Sequence, residues 1–467
     1  MSGARIMAGQ RPNDRLGWVL IALVVLAPLP LGSNRPAFWA GGAALLAVVA
    51  LFYLLRLAQL GSTLRYDLSR LAVPLLLAGL YVGWLIMQTL PLGTFEIELP
   101  QGTFMHDAIS VSTGDTKLAI LRVSGYAILF ALMMQVAVNR ARAQTLAWVL
   151  FAAITFWSLY GLVALIQFGD TMLFFQKWAY FGSATGPFVN RNSFATYLAM
   201  GLILGLGLVL GALTRPGNRR VMFLSGDAML RALAIIGLLL ILAALFRTQS
   251  RMGLFAGLMG AGLTVSLILV RRGGLGRRGW LLVPLAVMGI LSAGLYFYGG
   301  QLIDRVGQID SAAATRGDLY VQILDMIGAR PWTGWGGDSF ETAFRAFRED
   351  PVSATYAWER AHSTYLAHWA ETGLIFGSIP ILLVAIAFWR CLSMALTRQN
   401  DIVLPAIGAG VILTGGVHSL VDFSLEMQAN VWTFLVIIAL AISNRGTDYR
   451  RTARSDEKAN KAEPALT

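Results

Sequence analysis

The chain has 467 residues, of which 56% are apolar and only 13% charged, and its formal net charge is +12. Soluble globular proteins carry about 25% charged residues, so this composition excludes an ordinary soluble enzyme and predicts that lipid covers most of the surface. The positive balance does not indicate nucleic-acid binding, because no basic face interleaved with aromatic residues is present.

The first apolar run follows a basic N-terminus that contains Arg5, Arg11 and Arg15. Such a start is also typical of a secretory signal peptide. The run ends in a Pro- and Gly-containing stretch at 28–32, with no small-residue cleavage site. We therefore expect residues 1–15 to form a cytoplasmic N-terminus and the run to remain as the first membrane helix.

Apolar runs of 17 or more residues predict membrane-spanning helices. Eleven are present, at about residues 16–32, 38–55, 71–92, 118–138, 146–168, 193–213, 230–246, 252–270, 280–298, 373–390 and 402–421, and a shorter run at 430–444 is predicted as the twelfth span. The predicted fold class is an all-α integral membrane protein, with residues 16–444 as one polytopic membrane domain. The charged tail at 445–467 is typical of a disordered cytoplasmic segment.

The distribution of lysine and arginine predicts the orientation of the spans. With both termini in the cytoplasm, the inner segments hold 24 of these residues and the outer segments 13, of which six lie in one long loop where the charge rule does not apply. The net positive charge is thus explained as a topology signal and an attraction to anionic lipid. The expected outer loops are 93–117, 168–192, 422–430 and the large loop 299–372, between the ninth and tenth spans.

The large loop has the sequence pattern of a folded unit. Asp338 and Glu341 fit a helix capping box, and Phe340, Phe344 and Phe347 follow at helical spacing. This pattern predicts an amphipathic helix lying on the membrane face. A second stretch places four apolar residues on one helical stripe: Leu319, Ile323, Met326 and Ile327.

The sequence lacks the common motifs for metals and nucleotides. It has no Walker loop, paired CxxC, HExxH or DxD motif, and Cys391 is its single cysteine, which excludes an intrachain disulfide. Glu96 and Glu98 form an acidic pair, but such a pair in a loop is usually only solvated. We therefore expect no metal and no cofactor.

Arginines at the predicted outer face are the most informative residues, because positive charge is disfavoured there. They lie at the ends of spans and in the large loop: Arg191, Arg247, Arg251, Arg316, Arg330 and Arg360. A guanidinium group binds phosphate in a bidentate manner and keeps its charge at all relevant pH values. Several of them converging at this interface would suit a diphosphate headgroup. The alternative is that each arginine snorkels or pairs with an acid.

Polar residues surround the first of these arginines. Asn190 and Asn192 flank Arg191, and Ser193 can cap the span that follows. Polar donors at the N-terminus of a helix favour an anion. This segment is therefore a candidate anion-binding site.

The chain has four histidines, His106, His362, His368 and His418. His362 stands where the large loop re-enters the membrane, and a neutral histidine beside arginines can act as a general base. A satisfied structural histidine is the alternative. His418 and Asp422 are four residues apart, which allows them to pair on one helix face.

Five segments together resemble the O-antigen ligase and O-antigen polymerase superfamily of bacterial glycan-assembly enzymes. In the order of the family, they are GPFVNRNSFATYL (186–198), SRMGLFAG (250–257), RGDLYVQILDMIGARPWTGWGGDSF (316–340), HSTYLAHWAETGLIFG (362–377) and HSLVDFSLEMQANVWTF (418–434). The ligase motif of the family, a histidine, a small polar residue and a glycine ten positions later, matches His362, Ser363 and Gly373. The N-terminal third matches mainly in hydropathy.

The resemblance implies roles for individual residues. Arg191, Arg251 and Arg316, together with Arg247, match the arginines that bind the diphosphate of the donor, and His362 matches the base. Six residues are expected to support them: Asn190, Asn192, Asp318, Glu371, His418 and Asp422. Among these, Glu371, Asp318 and Asp422 are the first alternatives if His362 is not the base.

The resemblance also implies the reaction. The donor is a glycan on undecaprenyl diphosphate, and an acceptor hydroxyl attacks its anomeric carbon with inversion, without a metal or nucleotide. The enzyme works at the periplasmic face of the bacterial inner membrane, with a possible chain-length regulator as partner. A ligase transfers to the lipid A core and a polymerase to another lipid-linked repeat unit, and the sequence does not separate them.

Two other classes of function remain open. A twelve-span transporter or lipid-linked glycan flippase would keep its binding residues near the bilayer midplane, often in two related halves. Here the unusual charges lie at the outer edge and the halves look unrelated. A non-catalytic glycan-binding subunit is the third possibility.

Overall fold

A computed structural model describes residues 10–99, 102–214, 226–272, 306–353 and 358–443. The described chain is almost entirely helical. Two short antiparallel hairpins are its strands: β1 (Phe95–Leu99) with β2 (Gly102–His106), and β3 (Thr171–Met172) with β4 (Phe175–Gln176). The all-α fold class is confirmed.

The helices follow the predicted order. Before the large loop they are α1 (Gln10–Leu26), α2 (Pro36–Gln59), α3 (Ala72–Gln88), α4 (Thr113–Ala137), α5 (Arg140–Ile166), α6 (Arg191–Leu213), α7 (Gly226–Arg247) and α8 (Arg251–Arg271). The large loop contributes α9 (Val306–Ala329) and α10 (Phe340–Phe344). The chain continues through α11 (Thr364–Thr397), α12 (Val403–His418) and α13 (Gln428–Ser443).

Eight helices in the described residues are long and apolar enough to cross a membrane, namely α2 to α8 and α11. Helices α12 and α13 are apolar but have only 16 residues each, and α1 has 17. The predicted ninth span, 280–298, lies outside the described residues. The multi-span architecture is thus present, whereas the number twelve stays a prediction.

Helix α6 lies at the centre of the bundle, and 78% of its most apolar 18-residue window is buried. Small residues allow its neighbours to approach closely, as is typical of membrane helices. A Cβ atom on Gly207 would overlap the side chain of Ile407 on α12, and one on Gly260 of α8 would overlap the carbonyl of Gly410. These glycines therefore allow α6, α8 and α12 to pack closely against one another.

The large loop has a hydrophobic core of its own. The predicted stripe is buried there, with Leu319, Ile323 and Met326 fully inaccessible. Phe340 and Phe344 lie in the same core, so the prediction of an amphipathic helix on the membrane face is wrong. The helix is only five residues long, and its apolar face is covered by the loop itself.

The predicted capping box is also wrong. The residue that precedes α10 is Ser339, whose side chain makes no capping hydrogen bond to the helix. The carboxylate of Asp338 instead forms a salt bridge with Arg122 of α4. A charged tertiary partner has therefore replaced the local backbone partner that the spacing suggested.

A glycine-rich turn at 333–338 fastens the large loop to the membrane bundle. Gln88, at the end of α3, donates to the carbonyls of Thr333 and Glu371 at 2.8 and 2.9 Å, and its side-chain oxygen accepts from the backbone N–H of Gly337 at 3.1 Å. Thr116 of α4 donates to the Gly337 carbonyl at 2.9 Å. The end of α3 and the start of α4 thus hold the loop.

Helix α11 contains a break at Gly373, whose φ of 77° and ψ of 166° are not helical. A Cβ atom there would overlap the carbonyl of Trp332, so only glycine allows the turn of the loop to approach this closely. Before the break, Ala367 and Ala370 pack in the core of the large loop. After it, the helix continues as a membrane span, which the sequence predicted to begin at residue 373.

Candidate functional site

The N-terminus of α6 is organised by two asparagines. Asn190 is the N-cap, and its side-chain oxygen accepts from the backbone N–H of Asn192 at 2.7 Å. The side-chain amide of Asn192 donates in turn to Asp422 at 2.7 Å. This arrangement fixes Arg191 at the first position of the helix, where the helix dipole also favours an anion.

Asp422 and His418 lie beside this helix end, but they do not form the hydrogen-bonded pair that their spacing suggested. His418 Nδ1 is 2.6 Å from Thr196 Oγ1 on α6. The Asp422 carboxylate accepts from Asn192 and from Ser424. The prediction of a His418–Asp422 pair is therefore wrong, because partners on other segments satisfy both side chains.

His362 has a left-handed backbone, with a φ of 54° that is uncommon for residues other than glycine. The hydroxyl of Tyr320, on α9, donates to its backbone carbonyl at 2.9 Å. Its ring contacts Phe423 and Trp358 edge-on, with centroids 5.0 and 6.0 Å away. The imidazole is therefore fixed from both sides.

The imidazole of His362 has the properties of a base. Its Nδ1 is buried and has no hydrogen-bond partner among the described residues. Burial lowers the pKa of His362, and the positive charge of Arg316 lowers it further, although the negative charge of Asp422 acts in the opposite direction. The ring is thus neutral at neutral pH and can accept a proton.

Two of the predicted arginines lie near Tyr180. The guanidinium of Arg191 stacks over the Tyr180 ring at 5.5 Å, and its terminal nitrogen is 3.5 Å from the Ser183 hydroxyl. Burial raises the pKa of Tyr180, Asp422 raises it further, and both Arg191 and Arg316 lower it. These charges therefore share one neighbourhood, together with His362.

The turn between α7 and α8 brings in the other two arginines. The backbone carbonyl of Arg247 accepts from Ala184 at 2.8 Å, and the side chain of Gln249 donates to the Gly182 carbonyl at 3.3 Å. Arg247 and Arg251 are exposed and form no salt bridge with a described residue. The structure thus places this turn against the loop that precedes Arg191.

The remaining predicted acids separate into two places. Asp318 lies two residues after Arg316 on α9 and is partly exposed. Glu371 is buried on α11, where its carboxyl accepts from the backbone N–H of Asp338. Glu371 therefore belongs to a second polar cluster, beyond His362, that the sequence analysis missed.

This second cluster is a chain of buried ion pairs, which we call the ionic chain: Arg122, Asp338, Arg360 and Glu426. Asp338 is 2.5 Å from Arg122 and 3.7 Å from Arg360, and Arg360 is 3.2 Å from Glu426. The side chains are only 6 to 17% exposed. One signal was available, because Arg122 falls inside a predicted span, where a charge is costly unless it has a partner or a function.

Two outer-face arginines therefore have structural partners. Arg360 belongs to the ionic chain. Arg330 donates to the carbonyl of Ile109 at 3.0 Å and stacks over Trp335 at 4.4 Å. The alternative interpretation, an arginine that pairs with an acid, describes Arg360. Arg330 has a backbone carbonyl and an aromatic ring as partners instead of an acid.

Comparisons with known proteins match one family model to part of the chain. In the described parts of the chain, no three His, Cys, Asp or Glu residues are grouped as metal ligands. No curated protein matches the chain significantly. The family model for O-antigen ligase matches residues 236–381, a range that includes Arg247, Arg251, Arg316 and His362. The match covers about a third of the chain and supports its resemblance to the O-antigen ligase and polymerase superfamily.

Proposed function

We propose that the protein transfers a glycan from undecaprenyl diphosphate to an acceptor hydroxyl, with His362 as the general base. The observation that carries this proposal is the buried, unpartnered Nδ1 of a neutral His362 beside Arg316. A neutral imidazole within reach of cationic side chains suits the removal of a proton next to an anionic leaving group.

The reaction is a single displacement at the anomeric carbon of the donor. His362 takes the proton from the acceptor hydroxyl, whose oxygen forms the new glycosidic bond. The bond between the anomeric carbon and the diphosphate oxygen breaks, and its electron pair leaves with undecaprenyl diphosphate. Attack from the face opposite the leaving group inverts the configuration.

The arginines supply the remaining stabilisation. Arg191 is held at the N-terminus of α6, and Arg247, Arg251 and Arg316 expose their guanidinium groups around the same region. Fixed positive groups directed at the growing negative charge are usually the largest catalytic contribution. Diphosphate is a good leaving group, so the proposal needs neither a strong acid nor a metal.

The acceptor is either the lipid A core or another lipid-linked repeat unit. Both supply a sugar hydroxyl, so His362 would serve the same role in a ligase and in a polymerase. The surface glycan of a deletion strain separates them. Core molecules capped with single repeat units would identify a polymerase, and free polymer on the carrier with bare core would identify a ligase.

We further propose that this site faces the periplasm and the termini face the cytoplasm of the inner membrane, from the distribution of basic residues. A cysteine replacing Arg345, in protein that carries Cys391→Ala, should react with an impermeant thiol reagent from outside the inner membrane. Reaction only from the cytoplasmic side would reject the orientation.

The central test compares donor binding with transfer in reconstituted protein. His362→Ala should keep its affinity for the lipid-linked donor while turnover falls by roughly 10²-fold or more. The control is Arg345→Ala, on the exposed face of the large loop, which should change neither quantity. Donor translocation without a new glycosidic bond would instead identify a flippase. Loss of donor affinity with unchanged turnover at saturation would remove His362 as the base.

A further inference from the structure

We infer that Arg360 and Glu426 are positioning residues, whose buried ion pair holds the segment of His362 against the segment of Asp422 and Phe423. This inference rests on the proposed function and goes beyond it, because neither residue contacts the substrate in that scheme. The pair is largely buried, and its two charges are directed at each other at 3.2 Å.

Hydrogen bonds between uncharged groups join the two segments. The backbone N–H of Thr364 donates to the carbonyl of Ser419 at 3.0 Å, and the Ser363 hydroxyl donates to the same carbonyl at 3.4 Å. The Thr364 hydroxyl donates to the Asp422 carbonyl at 3.3 Å. These bonds fix the start of α11, which follows His362.

Residues 358–361, on the other side of His362, belong to no helix or strand. The salt bridge between Arg360 and Glu426, at 3.2 Å, joins this part to the short 3-10 helix Ser424–Glu426. The ring contact between His362 and Phe423 lies between this salt bridge and the neutral bonds. Contacts therefore hold the polypeptide on both sides of His362 in the sequence.

The backbone of His362 makes such fastening necessary. A left-handed conformation costs a non-glycine residue free energy and persists only where the surroundings impose it. Without the salt bridge of Arg360, rotation about the His362 backbone would move the imidazole ring away from Phe423. The position of the base would then vary, and misplacement by about 1 Å can cost 10²-fold in rate.

The ionic chain also connects the Arg360–Glu426 salt bridge to other helices. Charges alternate along it, from Arg122 through Asp338 and Arg360 to Glu426, so the four formal charges cancel. The guanidinium groups of Arg122 and Arg360 both stack over Trp39, at 4.9 and 5.8 Å. Arg122 lies in α4 and Trp39 in α2, so the ionic chain anchors Arg360 to the membrane bundle.

The test replaces the pair without leaving a buried charge. Arg360→Met with Glu426→Met removes both charges and keeps the Arg122–Asp338 pair, and apolar replacement of a whole buried pair commonly preserves the fold. We expect turnover to fall about 10-fold to 10²-fold, with the Michaelis constant for the donor within about twofold of the parent, as for a displaced base. The matched control is Arg345→Met with Glu341→Met, an exposed pair on the same loop at 2.6 Å.

A second readout does not depend on activity. The rate at which diethyl pyrocarbonate modifies His362, followed by mass spectrometry of the peptide, should rise several-fold in the Arg360–Glu426 double variant and stay unchanged in the control. Arg360→Lys, which keeps a positive charge between Asp338 and Glu426, should retain part of the protection and of the turnover. Folding of each variant is checked by thermal unfolding.

The outcomes separate the two proposals. If the parent protein forms no glycosidic bond, the proposed function fails, and the modification rate still tests the positioning. If the parent transfers glycan and the double variant matches it in both turnover and modification rate, the positioning inference is overturned. Equal losses in the exposed control pair would overturn it as well.

Discussion

The exposed arginines of the candidate site and the buried arginines of the ionic chain differ in their surroundings. Arg247, Arg251 and Arg316 are exposed and form no salt bridge with a described residue, whereas Arg122 and Arg360 are buried against carboxylates. An arginine whose charge is cancelled by a buried acid contributes to structure. An exposed arginine at the same interface keeps its charge available for a ligand. The partner of an arginine, rather than its predicted location at the outer face, therefore indicates its role.

The largest expected difference between the two sets is in stability. Arg122→Met leaves Asp338 without its closest partner, and breaking a buried ion pair typically costs about 3–5 kcal/mol. Arg316→Met removes an exposed charge and should change the free energy of unfolding by no more than about 0.5 kcal/mol. Unfolding in matched lipid–detergent mixtures measures both. Similar losses for the two variants would remove the distinction between the sets.

Donor binding should show the reverse order. Arg316→Ala should weaken binding of the lipid-linked donor by roughly 1.5–3 kcal/mol, the usual contribution of a hydrogen bond to a charged group. Arg316→Lys should recover little of it, because a point charge does not reproduce the bidentate geometry. Donor affinity in reconstituted protein is the measurement, with Arg345→Ala as control. Full recovery by lysine would indicate that only the charge matters.

Helix α9 carries both Arg316 and Tyr320, so variants on this one helix can separate an effect on donor binding from an effect on the base. Tyr320→Phe removes the hydrogen bond to the His362 carbonyl, which is worth about 1 kcal/mol. Turnover should therefore fall by about fivefold, while donor affinity stays unchanged. A loss of donor affinity in this variant would place Tyr320 with the diphosphate ligands instead.

The smallest effect expected is on the pH dependence of turnover. Arg316 lowers the pKa of His362 and Asp422 raises it. Because the base must be neutral, activity is lost as the pH falls through this pKa. Arg316→Gln should move the acid limb of the profile to higher pH, and Asp422→Asn should move it to lower pH. Turnover at saturating donor measures both, and shifts in the same direction would contradict the assignment of the limb to His362.

The sequence predicted the parts of the molecule that depend on local pattern. The stripe of Leu319, Ile323 and Met326 is buried as its helical spacing indicated. The polar residues before α6 form a helix cap, but the cap is Asn190, whose side chain accepts from the backbone two residues away. The prediction that Ser193 caps this helix is wrong, because Ser193 lies inside it. Apolar length also located the helices, since a membrane requires continuous apolar runs.

The sequence could not predict contacts between distant segments. Arg122 and Asp338 are 216 residues apart, and no periodicity connects them. Asp338 and Phe340 are clearer examples, because both residues matched a local helix pattern and yet have partners in other segments. The pattern identified which face of the short helix is apolar, but it did not identify the loop core that covers this face.

The sharing of α11 between the large loop and the membrane bundle has a consequence for biogenesis. Residues 319–352 emerge from the ribosome before Ala367 and Ala370, which complete their core. The outer ends of α3 and α4, which receive the glycine-rich turn, are made much earlier. The core of the loop therefore cannot be completed before α11 has been made. The surroundings of His362 are completed later still, because Phe423 and Glu426 are made about 60 residues after it. A chain interrupted between α11 and α12 would have its arginines and no ordered base, so the site becomes competent only when nearly all the protein has been inserted.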